Sequence, residues 1–206
     1  MPVDHLVYAT PDLGLGINRI ERLLGIRATP GGQHPGAGTR NALIALGPTA
    51  YLEIVGPDLE QSEPERPRWF RIDELDEPRL VTWAAKSDAI DRIRNEAQRL
   101  GIGLGEPVAG SRRRDDGVLL AWRYTNPRAI VADGVIPFFI DWGTTPHPSA
   151  GAAPGASLLK LRAEHPQPEP ARSMARQLGL DLQIDQGSEP ALIATIASPR
   201  GQVELR

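Results

Sequence analysis

Residues 1–12 read MPVDHLVYATPD, and residues 10–26 continue as TPDLGLGINRIERLLGI. The first stretch alternates as a strand does, so His5, Val7 and Ala9 share one face while Leu6 and Tyr8 take the other. The second predicts a helix: Thr10 as N-cap, Pro11 at the first helical position, Leu13, Ile17, Ile20 and Leu24 at helical spacing, and Gly25 as its stop. A short buried strand running into an amphipathic helix is the start from which the fold is read. That strand also holds one of only four histidines in the chain.

The same opening recurs twice. SDAIDRIRNEAQRLGI begins at Ser87, carries Ile90, Ile93, Ala97 and Leu100 on one face and stops at Gly101. PEPARSMARQLGL has Pro170 near its start, Met174 and Leu178 within, and Gly179 at its end. Each helix follows a strand candidate (His5–Ala9, Leu80–Ala84, Leu158–Arg162) and precedes strand-like runs. After the first come NALIALG and AYLEIVG, after the second GVLLAWRYT and IPFFIDWG, after the third DLQID, ALIATIA and QVELR. The order predicts an internally repeated α+β chain with modules at 1–56, 79–143 and 157–206. A mixed sheet in each would have one face covered by a helix, and two such sheets facing each other would enclose a cleft. GPDLEQSEPERPRWFRIDELDEPR reads as a surface connection between the first two modules, and TTPHPSAGAAPGA as a flexible link to the third.

Composition narrows the function classes. The chain has 206 residues, a net charge of -3 with both signs scattered, and no cysteine. There is no basic stripe for nucleic acid and no apolar run of the roughly 20 residues a membrane span needs. Disulfides, thiolate nucleophiles and cysteine-based zinc sites are excluded. With a strand beginning almost at Met1, no secretory signal is expected and a cytoplasmic location is. GLGIN at 14–18 lacks the rest of a phosphate-binding fingerprint, and no Gly-x-Ser-x-Gly or His-Glu-x-x-His pattern occurs.

DHLVYATPD at 4–12, GGQHPGAGTRNALIALG at 31–47, AYLEIVGPD at 50–58 and IPFFIDWGTTPHP at 136–148 together resemble the vicinal oxygen chelate superfamily, and within it the glyoxalase-like domain proteins. The resemblance covers residues 1–148, with 157–206 as a shorter third module. It implies βαβββ modules paired into a U-shaped mixed sheet around a cleft that holds a divalent metal (Fe, Mn, Ni, Co or Zn). Its ligands would come from the first and last strands of each module, matching His5 and Glu53 in module one. In module two, Val81 and Thr82 fall at the first position and Asp141 at the second, so one corner is empty; His147 is a further candidate. The third module offers Leu159 and Glu204, and no metal is expected there.

On that reading the chain is a metal-dependent enzyme of lyase or isomerase type. It polarises adjacent oxygens of a small molecule, with Glu53 as catalytic base. The alternative is a metal-free, antibiotic-sequestering relative, against which the low aromatic content of 5% counts, because it predicts a sparse lining. Candidate substrate-binding residues are His34, Thr39, Asn41, Arg113, Arg114, Trp122 and Arg123. Each has a plainer reading: His5 as a core histidine, Glu53 and Asp141 on exposed strand faces, His34 and His147 in loops, Trp122 in the core. GSRRRDDG at 110–117 would then be a solvated hairpin turn. A structural role for the third module would leave one sheet face for a second subunit, giving a homodimer.

Overall fold

The structure is a computed structural model; it describes residues 1–113 and 117–206, the side chain of Arg113 excepted. The strand–helix–three-strand order occurs three times. The first unit is β1 (Val3–Ala9), α1 (Leu13–Leu24), β2 (Thr29–His34), β3 (Thr39–Gly47) and β4 (Ala50–Pro57). The second is β5 (Arg79–Lys86), α2 (Ile90–Arg99), β6 (Val108–Arg113), β7 (Leu119–Tyr124) and β8 (Phe138–Asp141). The third is β9 (Ser157–His165), α3 (Pro168–Gln177), β10 (Gln183–Gln186), β11 (Ala191–Ser198) and β12 (Gly201–Leu205).

The first two units share one eight-stranded sheet in the order β2-β3-β4-β1-β5-β8-β7-β6. β1 pairs parallel with β4 and β5 parallel with β8, and the halves join where β1 runs antiparallel to β5. The sheet curls until its edges nearly meet: the Arg112 guanidinium on β6 donates to the Gly31 carbonyl on β2. The third unit forms its own sheet, β10-β9-β11-β12. Among the described residues no helix is long and apolar enough to cross a membrane.

Alternation divides the core as the first strand predicts. Leu6 and Tyr8 face outward into one large cluster with Ile20 and Leu24 of α1, Ile90 and Ile93 of α2, and Ala171 and Ala175 of α3. Val7 and Ala9 face inward with Tyr51, Val55 and Phe138. Each fully buried aliphatic chain contributes about 1.5–3 kcal/mol. The glycines of GLGIN have a packing role: a Cβ on Gly16 would lie 2.8 Å from Thr10 Cγ2 and 3.1 Å from Ile54 Cγ2, so α1 sits close on β4 only because Gly16 has none.

Several expectations are corrected. Asp12, not Thr10, caps α1, its carboxylate accepting from the Leu15 N–H at 2.7 Å. Thr10 is fully buried and donates to the Asp12 carbonyl instead. Residues read as loop and turn form the edge strands β2 and β6, whose glycines and charges hide an extended state imposed by β3 and β7. The 144–156 link is no loose tether: Pro148, Ser149 and Ala152 are buried, and the Ala45 N–H donates to the Ala153 carbonyl at 2.8 Å. The 56–79 connection is not merely superficial either, since Phe70, Ile72 and Leu75 are buried.

The sheet of the third unit packs into the outer core rather than standing apart, with Leu192, Ala194, Ile196 and Leu205 in the same cluster as Leu6 and Tyr8. Ile196→Ala should therefore cost about 2–5 kcal/mol. Urea unfolding should remain one transition, coincident by tryptophan fluorescence and circular dichroism. Two separated transitions would show that the third unit does not share the core.

Candidate functional site

The inward face of the curled sheet lines a cleft of about 490 Å³ of empty space, the open solvent at its mouth included. Its floor comes from the first unit. His5 on β1 is 3% exposed and stacks on Tyr51 at 4.6 Å between ring centres. Glu53 on β4 is 7% exposed, with Oε2 at 3.8 Å from His5 Nε2 and Oε1 at 3.7 Å from His34 Nε2. A carboxylate this deep needs a donor, and Asn41 supplies it, Nδ2 to Glu53 Oε1 at 2.6 Å.

The same Asn41 amide lies 3.2 Å from His34 Nε2, so that nitrogen accepts and Nδ1 carries the proton, donating to Thr39 Oγ1 at 3.0 Å. Burial lowers the His34 pKa against the pull of Glu53, which keeps the ring neutral. Asn41 fits only because residue 31 is glycine: a Cβ there would lie 2.1 Å from Asn41 Oδ1. That oxygen is buried without a partner among the described residues.

Behind His5 lies Asp4, fully buried. Between Val3, opposite Ala85, and His5, opposite Ala84, the β1–β5 register slips by one residue. Asp4 is the extra residue, and such a bulge re-aims a side chain that would otherwise follow Leu6 outward. Asp4 Oδ1 lies 2.8 Å from His5 Nδ1, Oδ2 lies 3.2 Å from His147 Nε2, and Trp142 Nε1 donates to both oxygens at 3.2 and 3.1 Å. Burial pushes the Asp4 pKa up. The hydrogen bonds from His147 and His5 outweigh it and hold the carboxyl well below the usual range.

The walls are aromatic. Seven of the ten Phe, Trp and Tyr residues line this one cleft, the exceptions being Tyr8, Trp83 and Phe139. Tyr51, Phe138 and Trp142 stand near the floor, and Trp122 and Tyr124 come from β7. Trp69 and Phe70 come from the connecting segment, where Phe70 and Arg71 have φ of 59° and 56°. Left-handed backbone at such residues costs on the order of 1–3 kcal/mol each. Burial of Phe70 against Phe138, 6.1 Å between rings, offsets it. Arg68 pins the segment, donating to the Gly38 carbonyl at 2.9 Å and to Asp73 at 2.7 Å. A lining expected to be sparse is dense, because composition counts residues and the fold decides where they gather.

Of the residues singled out from sequence, the structure brings His5, His34, Thr39, Asn41, Glu53, His147 and Trp122 to the cleft or its supporting network. It does not bring Asp141 or Arg123. On β8 the inward residues are Phe138 and Ile140, so Asp141 faces outward, where its carboxylate caps the Gly143 N–H at 2.8 Å. Arg123 pairs with Asp91 of α2 at 2.9 Å. Arg114 and the side chain of Arg113 lie outside the described residues; the arginine of that run in the cleft is Arg112. Asp4, Arg112 and six of the seven aromatic residues were missed. For Asp4 a signal existed in the acidic residue beside a strand histidine. Trp69 and Phe70 carried none.

The register also decides the metal question. The Thr10 N–H donates to Val55 O and the Ser87 N–H to Ile140 O, equivalent bonds in the two halves, each 3.0 Å. Counting back five residues from Thr10 gives His5, and from Ser87 gives Thr82. Two back from Val55 gives Glu53, and from Ile140 gives Phe138. The second half thus presents Thr82, whose hydroxyl donates to the Gly134 carbonyl at 3.2 Å, and an apolar ring. A divalent ion needs several converging lone pairs, yet Asn41 directs N–H at both Glu53 Oε1 and His34 Nε2. Among the described residues no group of three or more His, Asp or Glu is arranged to hold a metal. The donor set does not fit one.

Burial raises the pKa of all three tyrosines, Tyr124 to about 12 with Glu53 adding to it. A raised folded pKa favours the phenol, so this contribution to stability is complete below pH 10 and is lost as pH rises toward 12. Spectrophotometric titration of the folded protein should show no tyrosine ionising near the ordinary value of about 10. A normal titration of even one would mean that its ring is solvated.

Comparison with known proteins agrees with this architecture. The sequence model of a family described as "Glyoxalase-like domain" matches residues 3–179. No curated protein matches the chain. Among solved structures, a hypothetical protein from Staphylococcus aureus aligns with 14% identity over 92% of this chain and 87% of that one, TM-score 0.67, a likeness of fold. Methylmalonyl-CoA epimerase from Mycobacterium tuberculosis aligns with 18% identity over 68% and 87%, TM-score 0.44. A variant of the Streptomyces coelicolor epimerase in complex with 2-nitronate-propionyl-CoA aligns with 15% identity over 71% and 97%, TM-score 0.46. With 3–179 matched and the repeated βαβββ order wound into a curled sheet, the chain belongs to the glyoxalase-like domain family of the vicinal oxygen chelate superfamily.

Proposed function

We propose that the chain is an isomerase- or lyase-type enzyme that binds a small, flat, oxygen-bearing molecule in this cleft and moves a proton on it without a metal. The observation that carries this reading is the gathering of seven aromatic rings around a floor holding His5 and Glu53. Flat ligands stack on such walls, each aromatic contact contributing about 0.5–1.5 kcal/mol beyond area burial. The metal-dependent version implied by resemblance is set aside on the donor set.

His5 Nε2 takes a proton from a carbon beside a carbonyl, leaving an enolate; returning it elsewhere isomerises the molecule, and loss of a leaving group eliminates. The imidazolium so formed lies 3.8 Å from the Glu53 carboxylate. At an effective dielectric near 20 that attraction is about 4 kcal/mol. It favours the charge only once the proton has moved, so it acts on the transition state. Glu53 then stabilises charge rather than serving as the base.

A second reading, sequestration without turnover, draws on Phe138 standing where a ligand residue would and on the aromatic walls themselves. The two are separated by a thermal-shift screen of aromatic 2-oxo acids, enols and diols, followed by turnover assays on the hits. Protein purified without added metal should contain far less than one transition-metal ion per chain, and binding should survive chelator. His5→Gln should lower turnover about 10²–10⁴-fold while changing Kd little. Trp69→Ala should weaken binding up to about tenfold. Binding without turnover would leave the sequestering reading. About one metal per chain, lost in His5→Ala, would restore the metal-dependent one.

A further inference from the structure

We propose that Asp4 is a positioning residue: it fixes the neutral His5 ring as the Nδ1–H tautomer, with bare Nε2 toward the cleft, and is itself held by Trp142 and His147. This rests on the proton-transfer role proposed for His5 and adds what makes that nitrogen a base. An ionised carboxylate only accepts hydrogen bonds, so every group facing Asp4 must donate. From β1 that is His5 Nδ1 at 2.8 Å, and from beyond β8 it is Trp142 Nε1 at 3.1 and 3.2 Å and His147 Nε2 at 3.2 Å.

The indole can only donate, which keeps the carboxylate oriented whichever way the histidines stand. His147 is held in turn by Ser149: its Nδ1 lies 2.8 Å from the Ser149 Oγ and 3.3 Å from the Ser149 backbone N, at the start of the short helical turn Pro148–Gly151. The Ser149 hydroxyl reaches the Pro48 carbonyl at 2.6 Å, tying this loop to the turn before β4. Two histidines thus share one carboxylate, His5 through Nδ1 and His147 through Nε2.

Three features set this apart from ordinary core packing. The residue is fully buried, where an aliphatic chain would avoid the desolvation of a charge. A bulge, one residue out of register, brings it to the same side as His5. And Tyr51, stacked on His5 at 4.6 Å and 16°, limits the ring's tilt without fixing its proton, which leaves that to Asp4.

The test is the two-bond proton–nitrogen correlation spectrum of the 15N-labelled full chain, at a pH where the rings are neutral. Its four histidines are assigned by single His→Gln variants. His5 should show a protonated Nδ1 and a bare Nε2, and His147 a protonated Nε2. In Asp4→Ala, His5 should move to the Nε2–H form or an averaged mixture. A His5 that is Nε2–H or mixed in the unmodified protein overturns the proposal, and so does a tautomer unchanged in a folded Asp4→Ala. The unmodified spectrum decides even if that variant does not fold. A ligand screen that finds nothing, with both tautomers as stated, would sink the proton-transfer reading alone; mixed tautomers with intact turnover would sink the positioning alone.

Discussion

The antiparallel seam between β1 and β5 is the constraint on which the rest depends. It joins two half-sheets that each have a helix on one face, and it forces their uncovered faces to look at each other. The outer side then closes with three helices and a second sheet into one aliphatic core. The inner side is concave and encloses the cleft. The slip in that seam matters as much, since one extra residue carries Asp4 inward beside His5.

The two halves have taken different parts in the cleft. The first supplies the polar floor, from His34 and Asn41 through Glu53 to His5. The second supplies Trp122, Tyr124, Phe138 and Trp142, four aromatic rings in place of ligands. The connecting segment adds Trp69 and Phe70 through a backbone that is unfavourable locally and kept by burial. Polar groups thus gather on one side of the cleft and aromatic rings on the other.

Much of the fold was legible because its signals are local. Helix faces at 13–24 and 90–99, glycine stops and the alternation of β1 appear in windows of a few residues. Edge strands were not legible, because Gly31 and Gly32 in β2 and the charges of β6 favour turns until a neighbour supplies hydrogen bonds. Asp141 was misassigned because lining up two strands by similarity cannot fix which face a residue takes; one position of slip exchanges it with Ile140 or Trp142.

By itself the sequence determined the repeated strand–helix order and the grouping of His5 with Val7 and Ala9, and of Glu53 with Tyr51 and Val55, from periodicities of two and 3.6; that both groups face one cleft was implied by the resemblance alone. Only the tertiary structure decided that Asp4, Trp142 and His147 meet, since residues 4 and 142–147 are brought together by the sheet and not by any local preference. It also decided that most of a small aromatic complement lines one cavity. The reason is the same in both cases: hydrogen bonding and ring contact act over a few ångströms in space, and sequence separation says nothing about that distance.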